Sequence, residues 1–160
     1  MKAINAIRMG GVDVLPLVEG GKGVSVSNGV SAGSWAAQGG VGTFSAVNAD
    51  SYDREGNRIP QVYPGRTRRE RHEELVAYGI AGAIAQAKEA YERAGGKGRI
   101  HANILWEMGG AERVARGMLE GARGLIHGIT CGAGMPYRLA EIAREFGVFY
   151  YPIVSSARAF

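Results

Sequence analysis

Cysteine is nearly absent: Cys131 is the single one in 160 residues. One thiol excludes an internal disulfide framework and points to a reducing compartment, so the expected localisation is cytoplasmic. Long apolar runs are missing as well. The opening "MKAINAIRMGGVDVLP" lacks the continuous apolar stretch of a signal peptide, and nothing approaches the roughly 18 apolar residues of a membrane span. Aromatic platforms interleaved with basic residues are also lacking. The net charge of +4 and pI of about 9.4 therefore do not amount to a nucleic-acid footprint.

What is abundant is glycine, 26 residues against an average near 7%, placed at joints between periodic segments where positive φ or close backbone approach is needed. The apolar and charged fractions, 46% and 21%, are those of an ordinary globular chain, and the length suits one domain with a real core.

The apolar run from Val12 to Val18, stopped by Glu19-Gly20-Gly21, predicts a strand delivering a glycine loop. "VSAGSWAAQ" predicts a helix closed by Gly39-Gly40, and "VGTFSAV" a buried strand. Residues 46–66 have no periodicity, two prolines and several turn formers, and predict a long excursion. Thr67 and Glu70 form a capping-box signature. Leu75, Val76, Ile80, Ala83, Ile84, Ala87 and Tyr91 then recur at helical spacing up to Gly95-Gly96. Beyond it come a strand "RIHANILWE", a helix "GGAERVARGMLEGA", a strand "GLIHGIT", a turn "CGAGMP", a helix "YRLAEIAREFG" and a strand "VFYYPIV". "SSARAF" reads as the opening of a further helix. Alternating strands and helices of these lengths mean an α/β chain of parallel β/α units. About five strands fit either a small doubly wound sheet or an incomplete TIM barrel, and the stop at a nascent helix favours the barrel.

Gly29-Val30-Ser31-Ala32-Gly33 matches the G-x-S-x-G nucleophile elbow, but the residues before it are loop-like. His72 falls in a helix start, and His101 and His127 in strands, where packing or hydrogen bonding suits them better than catalysis. Small residues that let a helix approach its sheet, Ser31, Ala32, Gly33 and Ser34, explain the motif better. The stronger candidate is Glu19-Gly20-Gly21-Lys22-Gly23, at the carboxyl end of the first strand, where such sheets place their sites. It follows neither the Walker A nor the dinucleotide glycine order. Asn103 and Glu107 bracket the end of one strand, and Thr130, Cys131 and Gly132 that of the next. Cys131 is either a reactive thiol or a small buried filler. Arg66, Arg68, Arg69 and Arg71 oppose the dipole of the helix they start, which leaves room for an acidic partner or a substrate carboxylate.

Taken together, "LPLVEGGKGVSVSNGVSAGSWAAQGGVGTFSAVN", "IHANILW", "CGAGMP" and "YYPIVSSARAF" resemble, in order and spacing, the N-terminal part of the nitronate monooxygenase (2-nitropropane dioxygenase-like) family. The resemblance covers nearly the whole chain. It implies an FMN-binding (β/α)8 barrel that oxidises alkyl nitronates with O2 and uses no metal. It places Gly20, Gly21 and Lys22 at the loop facing the flavin, Asn103 near the cofactor, and Thr130, Cys131 and Gly132 at the neighbouring mouth. Lys22 stands where the family usually has methionine. The family's catalytic histidine, in a G-G-H loop after the sixth strand, and its later phosphate loops have no counterpart in these residues. Two other readings stand beside it: an FMN-dependent enoyl-thioester reductase, and an inactive half-barrel that acts only by self-association through exposed sheet edges.

Overall fold

A computed structural model describes residues 4–132 and 136–157. Part of the turn expected at 131–136 and part of the helix expected from 155 onward lie outside the described residues. The first elements are a short antiparallel hairpin, β1 (Ile7–Met9) and β2 (Val12–Val14), which pair Met9 with Val12. Gly10 and Gly11, both at positive φ, form its two-residue turn.

The single strand expected over Val12–Val18 is therefore two pieces. After β2 the chain breaks at Pro16 and resumes as a short edge segment, in which Leu17 accepts from Val41 N–H and Glu19 N–H donates to Val41, each at 2.8 Å. Proline cannot donate to a ladder, which is why pairing restarts beyond it.

The main sheet holds four parallel strands: β3 (Val41–Ser45), β4 (Arg99–Leu105), β5 (Gly128–Gly132) and β6 (Phe149–Pro152), adjacent in sequence order. A doubly wound sheet reverses its strand order at a switch point; none occurs among these strands. Four helices connect the units: α1 (Gly29–Ala37), α2 (Arg68–Ala94), α3 (Ala111–Gly121) and α4 (Tyr137–Glu145).

Helix α2 begins and ends as the sequence predicts. Thr67 Oγ1 accepts from Glu70 N–H at 3.1 Å, the Glu70 carboxylate accepts from Thr67 N–H at 2.8 Å, and left-handed Gly95 stops the last turn. Its buried stripe is smaller than expected. Val76, Gly79, Ala83, Ala87 and Ala90 face the core, whereas Tyr91 is exposed and Ile80 and Ile84 cover Gly117 and Gly121 of α3.

Small residues let α1 pack closely on β3 and on α2. A Cβ on Gly42 would stand 1.7 Å from the Ala32 carbonyl oxygen, and one on Gly33 2.8 Å from that of Ala90. Above this contact lie Phe44, Ile100, Ile104, Ile129, Met118, Leu139 and Ile142, all fully buried. Burial at about 25 cal/mol per Å² of apolar area makes this layer the dominant source of stability. Ion pairs tie the outer helix surfaces. Glu112 meets Arg116 and Arg138, and Arg113 grips Glu73 with two nitrogens at 2.9 and 2.6 Å.

Residues 46–66 form the predicted excursion. Within it Asp53 accepts from Glu55 and Asn57 N–H, closing a turn sealed by the Tyr52–Arg58 bridge. The backbone bonds hold the Asp53 carboxyl below its ordinary range, that of Asn57 contributing most. No helix among the described residues is long and apolar enough to cross a membrane.

Candidate functional site

Side chains alternate across a strand, so every second residue of β3 to β6 faces away from the helices. Register stacks these residues into rows. One row runs Ser45, Asn103, Thr130, Tyr151; the row beneath runs Thr43, His101, Gly128, Phe149. "HAN" in β4 carries the signal: polar His101 and Asn103 alternate with apolar Ile100, Ala102 and Ile104.

The glycine loop after Glu19 lies over the upper row. A Cβ on Gly21 would stand 2.3 Å from Asn103 Cβ, so only glycine lets the loop rest on that side chain. Ser27, fully buried, clamps the loop: its hydroxyl donates to the Gly20 carbonyl at 3.1 Å and accepts from Lys22 N–H at 3.0 Å. Val24 and Ser25 are held at φ of +54° and +60°, and the Ser25 hydroxyl donates to the Asn48 carbonyl. A β-branched residue in the left-handed region is strained, and such strain collects at functional loops.

The loop's two ends are both fastened to β3. Glu19 is buried, and its carboxylate accepts from Thr43 N–H at 3.2 Å, where a strand neighbour's carbonyl would ordinarily serve. Ser45 N–H then donates to the Ser27 carbonyl at 2.8 Å. Next, Asn28 caps α1 in a reciprocal box with Ser31. Ser31 is thus a capping residue, and its hydroxyl is engaged with the Asn28 backbone rather than with a histidine.

Within the upper row the Thr130 hydroxyl donates to Asn103 Oδ1 at 3.2 Å. The Asn103 amide NH2 is left without an acceptor among the described residues, as are the N–H groups of Gly20 and Gly21. Lys22 is exposed beside them. In the lower row the His101 ring stacks on Tyr151 at 4.7 Å and 19°, with Gly128 leaving room beneath it. His101 Nδ1 and Thr43 Oγ1 are buried without partners. Burial above all, then His127 and Arg99, pushes His101 down to about 4, so its ring is neutral near pH 7.

Five of the seven residues singled out from sequence come together here: Gly20, Gly21, Lys22, Asn103 and Thr130. Gly132 shares their face further along β5, nearest Ile153. Cys131 does not join them. It alternates to the helix-covered side, fully buried in the core, and burial raises its thiol pKa. The filler alternative describes it. Glu107 is exposed, and Arg66, Arg68, Arg69 and Arg71 are exposed around the start of α2, with Arg71 Nε donating to the Gly65 carbonyl. Sequence reasoning missed Ser27 and Tyr151. A tyrosine two residues into β6 was the available signal for the second.

Among the described residues no group of three or more His, Cys, Asp or Glu could hold a metal ion. The assembled groups are donors around a surface floored by glycine, suited to the polar edge of a flat ligand. No protein-family model matches this chain, and no curated protein matches it.

Proposed function

We propose that this chain is the flavin-holding part of an FMN-dependent oxidoreductase of the nitronate monooxygenase type, built on the first units of a TIM barrel. The observation that carries the reading is Gly21 seated on Asn103, beside Thr130, at the carboxyl ends of parallel strands in unbroken sequence order. The donor set fits FMN: the Asn103 NH2, the free N–H groups of Gly20 and Gly21 and the Lys22 ammonium suit the carbonyl and nitrogen edge of an isoalloxazine ring. When bound, FMN would carry the electrons, from the nitronate to O2 in a monooxygenase or from a reduced nicotinamide to the enoyl thioester in a reductase.

The chain's own residues orient and polarise. Thr130 fixes the Asn103 amide by occupying its oxygen, so that the NH2 is presented to the ligand. Lys22 would supply positive charge to stabilise the anionic reduced flavin. The loop's clamp at Ser27 keeps these donors preorganised. An alkyl nitronate, itself an anion, is drawn to the same charge.

The test is flavin titration of the purified chain, read by quenching of FMN fluorescence. Saturable quenching that Asn103→Ala weakens about tenfold supports the reading, that being the scale of one charge-free hydrogen bond. Absence of quenching overturns it. Consumption of a nitronate with O2, set against consumption of an enoyl thioester with reduced nicotinamide, then separates the two reactions.

One observation favours self-association as the second reading. Among the described residues strand β6 has no partner on its outer side, and Phe149 in it and Ile153 just beyond it are 51% and 59% exposed. Sedimentation velocity of the colourless chain as a dimer or larger species, with no flavin uptake, would favour it.

A further inference from the structure

The amino-terminal end of the same sheet holds a cation with no counter-charge. Arg99 opens β4 on the helix-free face, and its Nη2 donates to the Gly10 carbonyl at 2.6 Å. Its Nε is buried with no partner, and no carboxylate pairs with it among the described residues. A half-buried guanidinium left in this way is costly unless an anion completes it. The acid on the neighbouring hairpin, Asp13, is engaged with Arg8 at 3.2 Å.

His127 stands beside Arg99, just before β5. Its Nδ1 accepts from Ile100 N–H at 3.0 Å, which in the neutral ring puts the proton on Nε2 and makes that nitrogen a donor. Arg99 and His127 together line a cavity of about 290 Å3, at the small end of ligand pockets. Its remaining walls are apolar, from Ile126, Phe146, Val148 and Phe149. Gly10, Gly124 and Gly147, all at positive φ, add backbone without side chains. Lys97 shares a smaller depression with the same Arg99 and His127, and Arg123 lies over the Phe146 ring.

We propose that this cavity binds a small organic anion, a carboxylate on an apolar body, with Arg99 and His127 meeting the carboxylate and the Phe146–Phe149 wall meeting the body. The site lies at the opposite end of the sheet from Gly21 and Asn103, and it does not depend on flavin binding there. A bidentate or charge-assisted contact from Arg99 supplies the recognition, and the aromatic wall excludes a bare inorganic ion from the full affinity.

The test uses the full chain and three probes: benzoate, chloride at equal ionic strength, and neutral benzyl alcohol. The His127 imidazole resonances are followed by NMR across pH. Burial and the Arg99 charge hold the free His127 below its ordinary pKa. A bound carboxylate favours the protonated ring, so benzoate raises that pKa with saturation whereas chloride does not. Arg99→Gln weakens benzoate about tenfold or more, the scale of a lost charge-assisted contact. Equal effects of benzoate and chloride overturn the proposal, and so does benzyl alcohol binding as tightly as benzoate. Should Arg99→Gln fail to fold, the three-probe comparison on the unaltered chain decides alone.

Discussion

The two ends of the parallel sheet are built on opposite logic. At the carboxyl end polar groups are tied to one another: Ser27 clamps the loop, Thr130 fixes Asn103, and Glu19 completes the ladder of β3. At the amino end Arg99 keeps a nitrogen unpaired, and it lines a cavity together with His127. A hydrogen-bonded framework presents a few chosen donors, whereas an unsatisfied one holds a standing deficit that only a ligand removes. Between them lie buried Thr43, whose N–H holds Glu19, and His101, which feels the charge of Arg99.

The comparison breaks most completely where both ends share a support. Gly42→Ala drives a Cβ into the Ala32 carbonyl, and we expect a loss above about 4 kcal/mol in urea denaturation, the range of severe core overpacking. Gly132→Ala, with its nearest neighbour 3.6 Å away, leaves the same midpoint within about 1 kcal/mol.

The lower row is tested by acid. Because the folded His101 titrates near 4 and an unfolded histidine near 6.5, the unfolded chain binds the extra proton between those values. The stability attached to neutral His101 is complete above about pH 6.5 and falls as pH drops towards 4, by about 3 kcal/mol in all. Denaturation midpoints at pH 7 and pH 4.5 measure it. His101→Gln flattens the profile if this ring is the group responsible.

Smaller effects sharpen the contrast. Gly21→Ala must lift the loop off Asn103, so we expect faster amide exchange across 22–27 with little change in global stability. An unchanged exchange pattern would mean that the contact is dispensable. Thr67→Ala, whose contacts are with Glu70 and Arg71, removes one cap of α2 and costs about 1 kcal/mol. Flavin and benzoate affinities should both ignore it.

Much of the scaffold was legible because it is local. Thr67, Glu70 and Gly95 bound α2 through contacts within a turn of their own positions. The alternation in "IHANIL" fixes which side of β4 is polar. The β1–β2 hairpin was hidden in plain view: Gly10-Gly11 between Ile7–Met9 and Val12–Val14 is a two-residue turn signal, masked by the apolar run that continues to Val18. Half of the carboxyl-end site followed from strand ends. The Cys131 placement turned on register, since one residue decides the face. The Arg99 cavity was not readable at all. It requires Gly10, Arg99, His127 and Phe149, from four separate segments, to meet in space.

The attachment of the glycine loop to β3 has a consequence for how this region can change. Glu19 and Ser27 are pinned to Thr43 and Ser45, two residues apart on one strand, so the gap between the loop's ends is set by the sheet and not by the loop. A chain segment closed across a fixed gap gains entropy cost only logarithmically with length, about 0.6 kcal/mol for a doubling. Residues 20–26 can therefore be lengthened, shortened or rewritten while the strands beneath keep their register and the fold stands.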